Sequence, residues 1–128
     1  MQITKPKIVK KVWGREEIID NNGTYCGKKL MLSKGYRSSI HRHLKLETFY
    51  IHDGRVYLEL EDGNELKGAI LNPRNIVCIQ SGRWHRFSGL KDSVIFEFST
   101  PDTESERKTQ SEAIPDFENW RKKIERRL

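Results

Sequence analysis

Two histidines and a glutamate lie close together in the stretch "HRHLKLE" (residues 41–47). In a β-strand, residues i and i+2 point to the same face, so His41 and His43 would project together. If "ETFYI" pairs antiparallel with "SSIHRH" across a short turn, Glu47 joins them on that face. Two imidazoles and a carboxylate suit zinc, iron, manganese, nickel or cobalt. The spacing therefore predicts a site for a divalent transition metal.

A metal site with open positions normally has one more protein ligand. His85, in "IQSGRWHRF" (79–87), is the best candidate, because it lies near the start of a later strand, just after a glycine turn. The remaining histidine, His52, lies in the "HDG" turn and is expected to face away. The alternative is that these side chains only solvate one face of a sheet, and a lone HxH pair would favour that interpretation.

Most of the chain reads as short strands separated by turns. Runs such as "VYLEL", "NIVCI" and "VIFEFST" have strand composition, and turn signals such as "DNNG", "EDGN" and "LNPRN" separate them. Asp53-Gly54 and Asp62-Gly63 are good hairpin turns. Short strands at this close spacing, without long helical patterns between them, predict an all-β, antiparallel sandwich or barrel.

The pattern changes after Pro101. Residues 102–113 are polar and are predicted to be a linker over the surface, and a helix is predicted over about 115–127, with Pro115 in its first turn. An apolar stripe at helical spacing marks one face of that helix: Phe117, Trp120, Ile124 and Leu128. The helix either docks on the barrel by this stripe or binds nucleic acid or membrane through its basic residues. The narrow stripe and the mixed charges favour docking.

Length and composition set the class of protein. The 128 residues suit one domain over 1–128, with a barrel at about 12–101. The formal charge of +6 favours anionic partners but carries no specific nucleic-acid or membrane assignment. Two cysteines outside any CxxC pair favour free thiols in a reducing compartment. With no secretory signal and no apolar run of membrane-spanning length, the sequence predicts a soluble, cytoplasmic protein.

The metal-ligand spacing resembles that of the cupins. Their first motif is G, five residues, HxH, three or four residues, E, six residues, G, and here Gly35, His41, His43, Glu47 and Gly54 fill it. Their second motif keeps a glycine and a histidine, Gly82 and His85; three other positions differ, namely Arg74, Gln80 and Gly89. The resemblance covers about residues 12–101. It implies a small jelly-roll barrel with a metal held by His41, His43, Glu47 and His85, to which the predicted C-terminal helix is added.

A narrower resemblance concerns the substrate. "KKVWGREEII" (10–19), "CGKKLMLSKGYRSS" (26–39) and "VIFEFSTP" (94–101) are similar to stretches of single-domain cupins related to type II mannose-6-phosphate isomerases. Val12 replaces the proline usual in that group. The resemblance implies a metal-dependent sugar-phosphate isomerase that interconverts aldose and ketose, and a homodimer. The exposed strand edges of a small barrel also favour a dimer.

Isomerisation requires a base beside the substrate carbon and a group that stabilises the enediolate. Glu97 is the candidate base, as the acidic residue of an otherwise apolar strand; strict alternation equally allows it to face water. An anionic sugar needs cations at the mouth of the site. The candidate substrate-binding residues are Arg37, Lys29 (or its neighbour Lys28), Arg83 and, as a wall of the pocket or of a dimer interface, Tyr50.

Two alternatives belong to other functional classes. Three histidines and a carboxylate also suit a dioxygenase that uses ferrous iron. A barrel that holds a metal or a sugar without a positioned base would be a non-catalytic binding module.

Overall fold

A computed structural model describes residues 1–126 and contains thirteen strands and one helix in that range. The elements are β1 (Lys7–Lys11), β2 (Gly14–Asn21), β3 (Cys26–Leu32), β4 (Tyr36–Arg37), β5 (His41–His43), β6 (Glu47–Asp53), β7 (Val56–Asp62), β8 (Glu65–Leu71), β9 (Ile76–Ile79), β10 (His85–Gly89), β11 (Ser93–Ser99), β12 (Ser105–Arg107), β13 (Glu112–Ala113) and α1 (Phe117–Arg126).

The strands form two antiparallel sheets. The first has six strands in the order β1-β2-β3-β11-β6-β9. In the second, β10 pairs with β7 and with the short strands β4 and β5, and β8 continues the sheet beyond β7. The all-β jelly-roll predicted from the sequence, with its C-terminal helix, is confirmed.

The apolar core lies between the two sheets. Strands β3, β6 and β11 alternate buried and less buried residues, which is the period of two expected when one face of a strand is covered. The buried cluster takes members from both sheets: Leu30, Leu32, Phe49, Ile51, Val56, Leu58, Leu71, Ile79, Phe87 and Ile95. This core fills one part of the barrel, and polar side chains line the rest of its interior.

One predicted strand pairing is wrong. The sequence suggested that "ETFYI" in β6 pairs with the histidine strand β5, but β6 pairs with β9 and β11, and β5 pairs with β10 and β12. The two strands therefore belong to opposite sheets. Glu47 approaches the histidines across the interior of the barrel rather than along one face of a hairpin.

The predicted polar linker is also structured. Within 102–113, β12 pairs with the histidine strand β5, and β13 pairs with β4. All three side chains of β12 are exposed, so the strand has no apolar pattern in the sequence. It is held by backbone hydrogen bonds to β5. This segment covers the open edge of the second sheet and so reaches the histidines.

The C-terminal helix docks by its aromatic stripe. Trp120 packs edge-on against Tyr57 of β7 with ring centroids 5.8 Å apart, and Ile124 is buried. The Arg55 guanidinium contacts the Glu125 carboxylate at 3.2 Å. The helix begins at Phe117 instead of 115 and is described as far as Arg126, whereas residue 127 and Leu128 of the predicted stripe lie outside the described residues. In the described range no helix is long and apolar enough to cross a membrane. Cys26 is a buried free thiol and Cys78 an exposed one.

Gly54, which closes the first motif, is required by its geometry. Its φ is +93°, and a Cβ there would lie 2.4 Å from the backbone oxygen of Asp92. We expect Gly54→Ala to lower the free energy of unfolding by more than about 2 kcal/mol, because strain and overlap add. Gly63→Ala is the control, since Gly63 has φ +68° with nothing within 4 Å of the added carbon. Urea denaturation showing equal losses in both variants would contradict this explanation.

Candidate metal centre

Three imidazoles converge inside the barrel. His41 and His43 lie on β5, and His41 is directly opposite His85 of β10 in the strand register. Their ring centroids are 4.4 Å (His41–His85), 4.9 Å (His41–His43) and 5.7 Å (His43–His85) apart. One ring nitrogen from each lies within 4.8 Å of the others. An i, i+2 pair on one strand and a third histidine on its neighbour thus produce a compact ligand set.

Backbone carbonyls orient two of these rings. Nδ1 of His41 lies 2.8 Å from the Ser39 carbonyl oxygen, and Nδ1 of His85 lies 2.9 Å from that of Arg83. In a neutral imidazole, the nitrogen facing a carbonyl is the N–H donor, so Nε2 of each ring keeps its lone pair. Such hydrogen bonds commonly orient metal-binding histidines. Both rings are therefore prepared to bind a cation through Nε2.

Glu47 reaches the same cluster from the opposite sheet. Its two carboxylate oxygens lie 3.4 Å from Nε2 of His43 and 3.5 Å from Nε2 of His85. Glu47 is 2 % exposed and His85 is 1 % exposed. Nε2 of His85 is buried and makes no hydrogen bond among the described residues. A buried lone pair beside two further imidazoles and a carboxylate fits a divalent transition metal.

The electrostatics of the metal-free site also favour a cation. Burial, and then the neighbouring imidazoles, lower the pKa of His41 to about 4 and that of His43 to about 3, and burial lowers the pKa of His85. Burial, followed by the charge of Glu97, raises the pKa of Glu47 to about 7. All three imidazoles are thus neutral at pH 7, which is the form that binds metals.

The cluster opens into a cavity of about 420 Å³. Phe49, Phe87 and Ile95 form part of its apolar wall, and the hydroxyl groups of Ser38 and Ser39 belong to its polar lining. This size and this mixture of apolar walls with a few polar groups are typical of a small-molecule site.

Two lysines line the same cavity and are almost fully buried. The Lys45 ammonium contacts Glu97 at 2.9 Å, Asp102 at 2.7 Å and Glu47 at 3.2 Å. Lys28 contacts Asp102 at 2.9 Å. Burial opposes a charged Lys45, but Glu97 and Asp102 outweigh it and raise its pKa. Burial would likewise raise the pKa of Asp102, but the two ammoniums lower it to about 2. The cavity therefore combines the metal ligands with a buried network of ion pairs.

Comparisons with known proteins agree with this architecture. No protein-family model matches the chain, and no curated protein sequence matches it. Solved structures do match it, among them KdgF from Halomonas sp., at a TM-score of 0.62 and 17% identity over 70% of this chain and 80% of that one. Oxalate decarboxylase from Bacillus subtilis matches at 0.70 and 14% over 80% of this chain and 30% of that one. CapF, solved with a tropolone inhibitor, matches at 0.69 and 14% over 80% and 33%.

These neighbours share one architecture. The chain has the cupin fold. At identities of 17% and below the likeness extends to the fold alone, and the chain spans about a third of CapF and of oxalate decarboxylase. The cupin fold and the three-histidine cluster together support binding of a divalent metal ion, which His41, His43, His85 and Glu47 would hold.

Glu97, the predicted base, points into the cavity of the barrel. It is 4 % exposed, whereas its neighbours Phe96 and Phe98 lie on the outer face of β11. Its Oε2 accepts hydrogen bonds from Lys45 at 2.9 Å and from the Ser99 hydroxyl at 3.1 Å. The alternative interpretation, in which the Glu97 side chain faces water, is therefore wrong.

The structure places two of the predicted substrate residues at ion pairs or turns outside the cavity lining. Arg37 donates from Nε to Glu112 at 3.0 Å, on the pair of short strands β4 and β13. Arg83 donates from its guanidinium to the Glu61 carbonyl oxygen, at 3.1 Å from Nε. Neither side chain lines the cavity, because each is engaged with a neighbouring strand or turn.

The other two lie on the outer face of the first sheet. Lys29 follows the inward-pointing Lys28 and so takes the opposite face of β3. Tyr50 lies on the outer face of β6, in a shallow apolar patch that includes Ile76 and Phe98. Neither side chain lines the cavity, so contact of Lys29 and Tyr50 with substrate stays a prediction.

Strand parity would have selected better candidates. Leu30 and Leu32 fix the inward face of β3, and Lys28 shares it; Phe49 and Ile51 extend inward from Glu47. Lys45 precedes β6 by two residues on that same parity and is 4 % exposed. A lysine in phase with core residues signals a buried cation. Asp102 offered no such signal, since it lies in the polar segment after β11.

The lowered pKa values of the three histidines predict a pH-dependent stability for the metal-free protein. Below pH 6.5 the histidines are protonated in the unfolded chain but stay neutral in the folded protein. The free energy of unfolding therefore falls from about pH 6.5 toward pH 4. Glu47 acts in the opposite direction between pH 7 and 4.5, but three histidines outweigh one carboxylate. We expect a loss of several kcal/mol between pH 7 and 5, measured by urea denaturation. A shallower dependence is expected in His41→Ala/His43→Ala. Equal stability of the metal-free protein at both pH values would contradict the buried, neutral cluster.

Proposed function

We propose that this cupin is a metal-dependent isomerase of sugar phosphates that interconverts an aldose and a ketose. The observation that carries the proposal is the side-by-side placement of two kinds of group in one cavity. Three histidines and Glu47 form a ligand set, and Glu97 lies close by, linked to Glu47 through the Lys45 ammonium. Isomerisation needs this combination of an electrophile and a base.

The roles of the residues follow from their positions. A bound divalent ion would supply a Lewis acid that stabilises negative charge on the substrate oxygens. Glu97 accepts the proton from the substrate carbon beside the carbonyl, and the C–H electron pair shifts to form the enediolate. In the enediolate, the remaining hydroxyl proton passes to the oxygen that was the carbonyl oxygen. Glu97 then returns its proton to the former carbonyl carbon, and a C=O bond forms on the neighbouring carbon, which completes the exchange of aldose for ketose.

Lys45 and Ser99 position the base. Both hydrogen bonds to Glu97 end on Oε2, so Oε1 is the oxygen assigned to proton transfer. Phe49, Phe87 and Ile95 exclude water from one wall of the cavity. Water exclusion protects the enediolate from side reactions and strengthens the interactions around it.

A screen with the metal-loaded protein tests the proposal. Mannose 6-phosphate, fructose 6-phosphate and the unphosphorylated sugars are each incubated with protein loaded with zinc, manganese, cobalt, nickel or iron, and products are separated by chromatography. Interconversion of a phosphorylated pair is the expected result. No aldose–ketose interconversion with any of these metals would overturn the proposal.

A dioxygenase that uses ferrous iron is the second candidate. Its support is the donor set itself, because three imidazoles and one carboxylate also suit iron. Oxygen consumption by the iron-loaded protein with an organic substrate would favour it. A protein that binds metal and sugar but does not convert the sugar would be the non-catalytic module.

The homodimer and the cytoplasmic location stay predictions. Light scattering of the purified protein measures whether it is a homodimer.

A further inference from the structure

Lys28 and Lys45 are the two buried cations of the cavity, and neither is a metal ligand. Lys28 is 5 % exposed and Lys45 is 4 % exposed. A buried ammonium costs several kcal/mol unless carboxylates or other acceptors satisfy it. A pair of them beside a ligand cavity therefore calls for a functional explanation.

One carboxylate bridges both ammoniums. Asp102 Oδ1 lies 2.7 Å from Nζ of Lys45, and its Oδ2 lies 2.9 Å from Nζ of Lys28. Among residues 1–126, the other carboxylates within 4 Å of these ammoniums are on strands of the first sheet: Glu16, Glu47 and Glu97. Asp102 alone comes from a connecting segment, between β11 and β12. The Asp102 side chain is 29 % exposed, which is more than the side chains of the other three carboxylates.

We propose that Lys28 and Lys45 form a subsite for the phosphate or carboxylate group of a ligand, and that Asp102 fills this subsite until the ligand displaces it. The proposal rests on the proposed function only in taking this cavity as the substrate site. It assigns the anionic group of the substrate to buried residues of the cavity instead of to Arg37, Lys29 and Arg83.

Exchange of one anion for another keeps both ammoniums satisfied. An incoming phosphate or carboxylate replaces the charge-assisted hydrogen bonds of Asp102, while the Asp102 carboxylate returns to water. A neutral ligand that displaced Asp102 would leave two buried ammoniums short of a partner, at a cost of several kcal/mol. The subsite thus selects anionic ligands by penalising neutral ones.

The local structure allows this exchange without disturbing the barrel. Backbone contacts hold the segment in place while the Asp102 side chain can move. The Asp102 N–H donates to the Asn21 side chain at 3.0 Å, and the Thr100 N–H donates to the Leu46 carbonyl oxygen at 3.1 Å. Between that point and β12 the chain makes no strand pairing. Lys45 contacts both Asp102 and Glu47, so an anion in the subsite lies one side chain away from the metal ligands.

Calorimetric titration of the metal-loaded protein with inorganic phosphate tests the subsite. Asp102→Asn removes the competing charge and keeps the side-chain shape, so it should bind phosphate about tenfold tighter or more than the original protein. Lys28→Met added to Asp102→Asn should abolish the gain. Lys29→Met added to Asp102→Asn should keep it, because Lys29 is the adjacent lysine on the outer face. No gain in Asp102→Asn, or equal affinities in the two double variants, would overturn the proposal.

Hydrogen exchange on the unmodified protein gives a second test that does not depend on the variants folding. Concentrated phosphate should speed amide exchange in residues 102–104, compared with chloride at the same ionic strength, because the segment loses the anchoring ion pairs of the Asp102 side chain. Unchanged or slower exchange there would overturn the displacement. Both tests measure binding alone, so an absence of isomerase turnover would contradict the proposed function and leave this inference standing.

Discussion

Replacing His41 and His43 together with alanine should abolish metal binding while the protein stays folded. The two side chains supply two of the three converging imidazoles, and His85 with Glu47 alone leaves two ligands on opposite sheets. After loading with zinc and dialysis, we expect less than about a tenth of an equivalent of zinc per chain. Elemental analysis measures the ion, and circular dichroism measures the fold.

His52→Ala is the matched control for that variant. His52 is exposed and packs against the Phe96 ring on the outer face, with centroids 5.5 Å apart. Its loss should leave the zinc content unchanged. Full zinc content in the double histidine variant would rule out the assigned ligands, and equal loss in His52→Ala would show that histidine removal acts indirectly.

Glu97→Gln should eliminate turnover and leave the metal in place. Glutamine preserves the size of the side chain and can still accept the hydrogen bond from Lys45, but it cannot take a proton from carbon. On whichever sugar phosphate the protein converts, we expect kcat to fall about 100- to 10,000-fold. Metal content should match that of the original protein, since Glu97 is outside the histidine cluster.

Glu16→Gln provides the comparison for Glu97. Glu16 lines the same cavity and contacts Lys28 at 3.6 Å, but it has no contact with Lys45. Its kcat should stay within a few-fold of the original value. Unchanged turnover in Glu97→Gln would remove Glu97 from the mechanism, and an equal fall in Glu16→Gln would point to a general effect of cavity charge.

The metal cluster could be predicted because it depends on local geometry. The i, i+2 relation of His41 and His43 holds in any strand, and His85 lies at a strand start after a glycine turn. The route of Glu47 to the cluster could not be predicted, since spacing along the chain does not reveal which sheet a strand joins. Glu47 reaches the histidines only because the two sheets face each other across the barrel.

The remaining differences have similar physical causes. In β11, Phe96 and Phe98 look like core residues, yet Ile95 and Glu97 point inward, because the outer face of this sheet also carries apolar side chains. Alternation alone could not choose between these two faces. In residues 102–113, backbone pairing creates strands without any apolar pattern, so composition predicted a linker.

Elemental analysis of the purified, unmodified protein measures whether the barrel holds a metal ion. His41, His43, Glu47 and His85 should hold one divalent transition-metal ion per chain, and a chelator should remove it with a loss of thermal stability. A folded protein that contains no such ion, and that takes up none when zinc, manganese, iron, cobalt or nickel is supplied, would show that these four residues are not metal ligands.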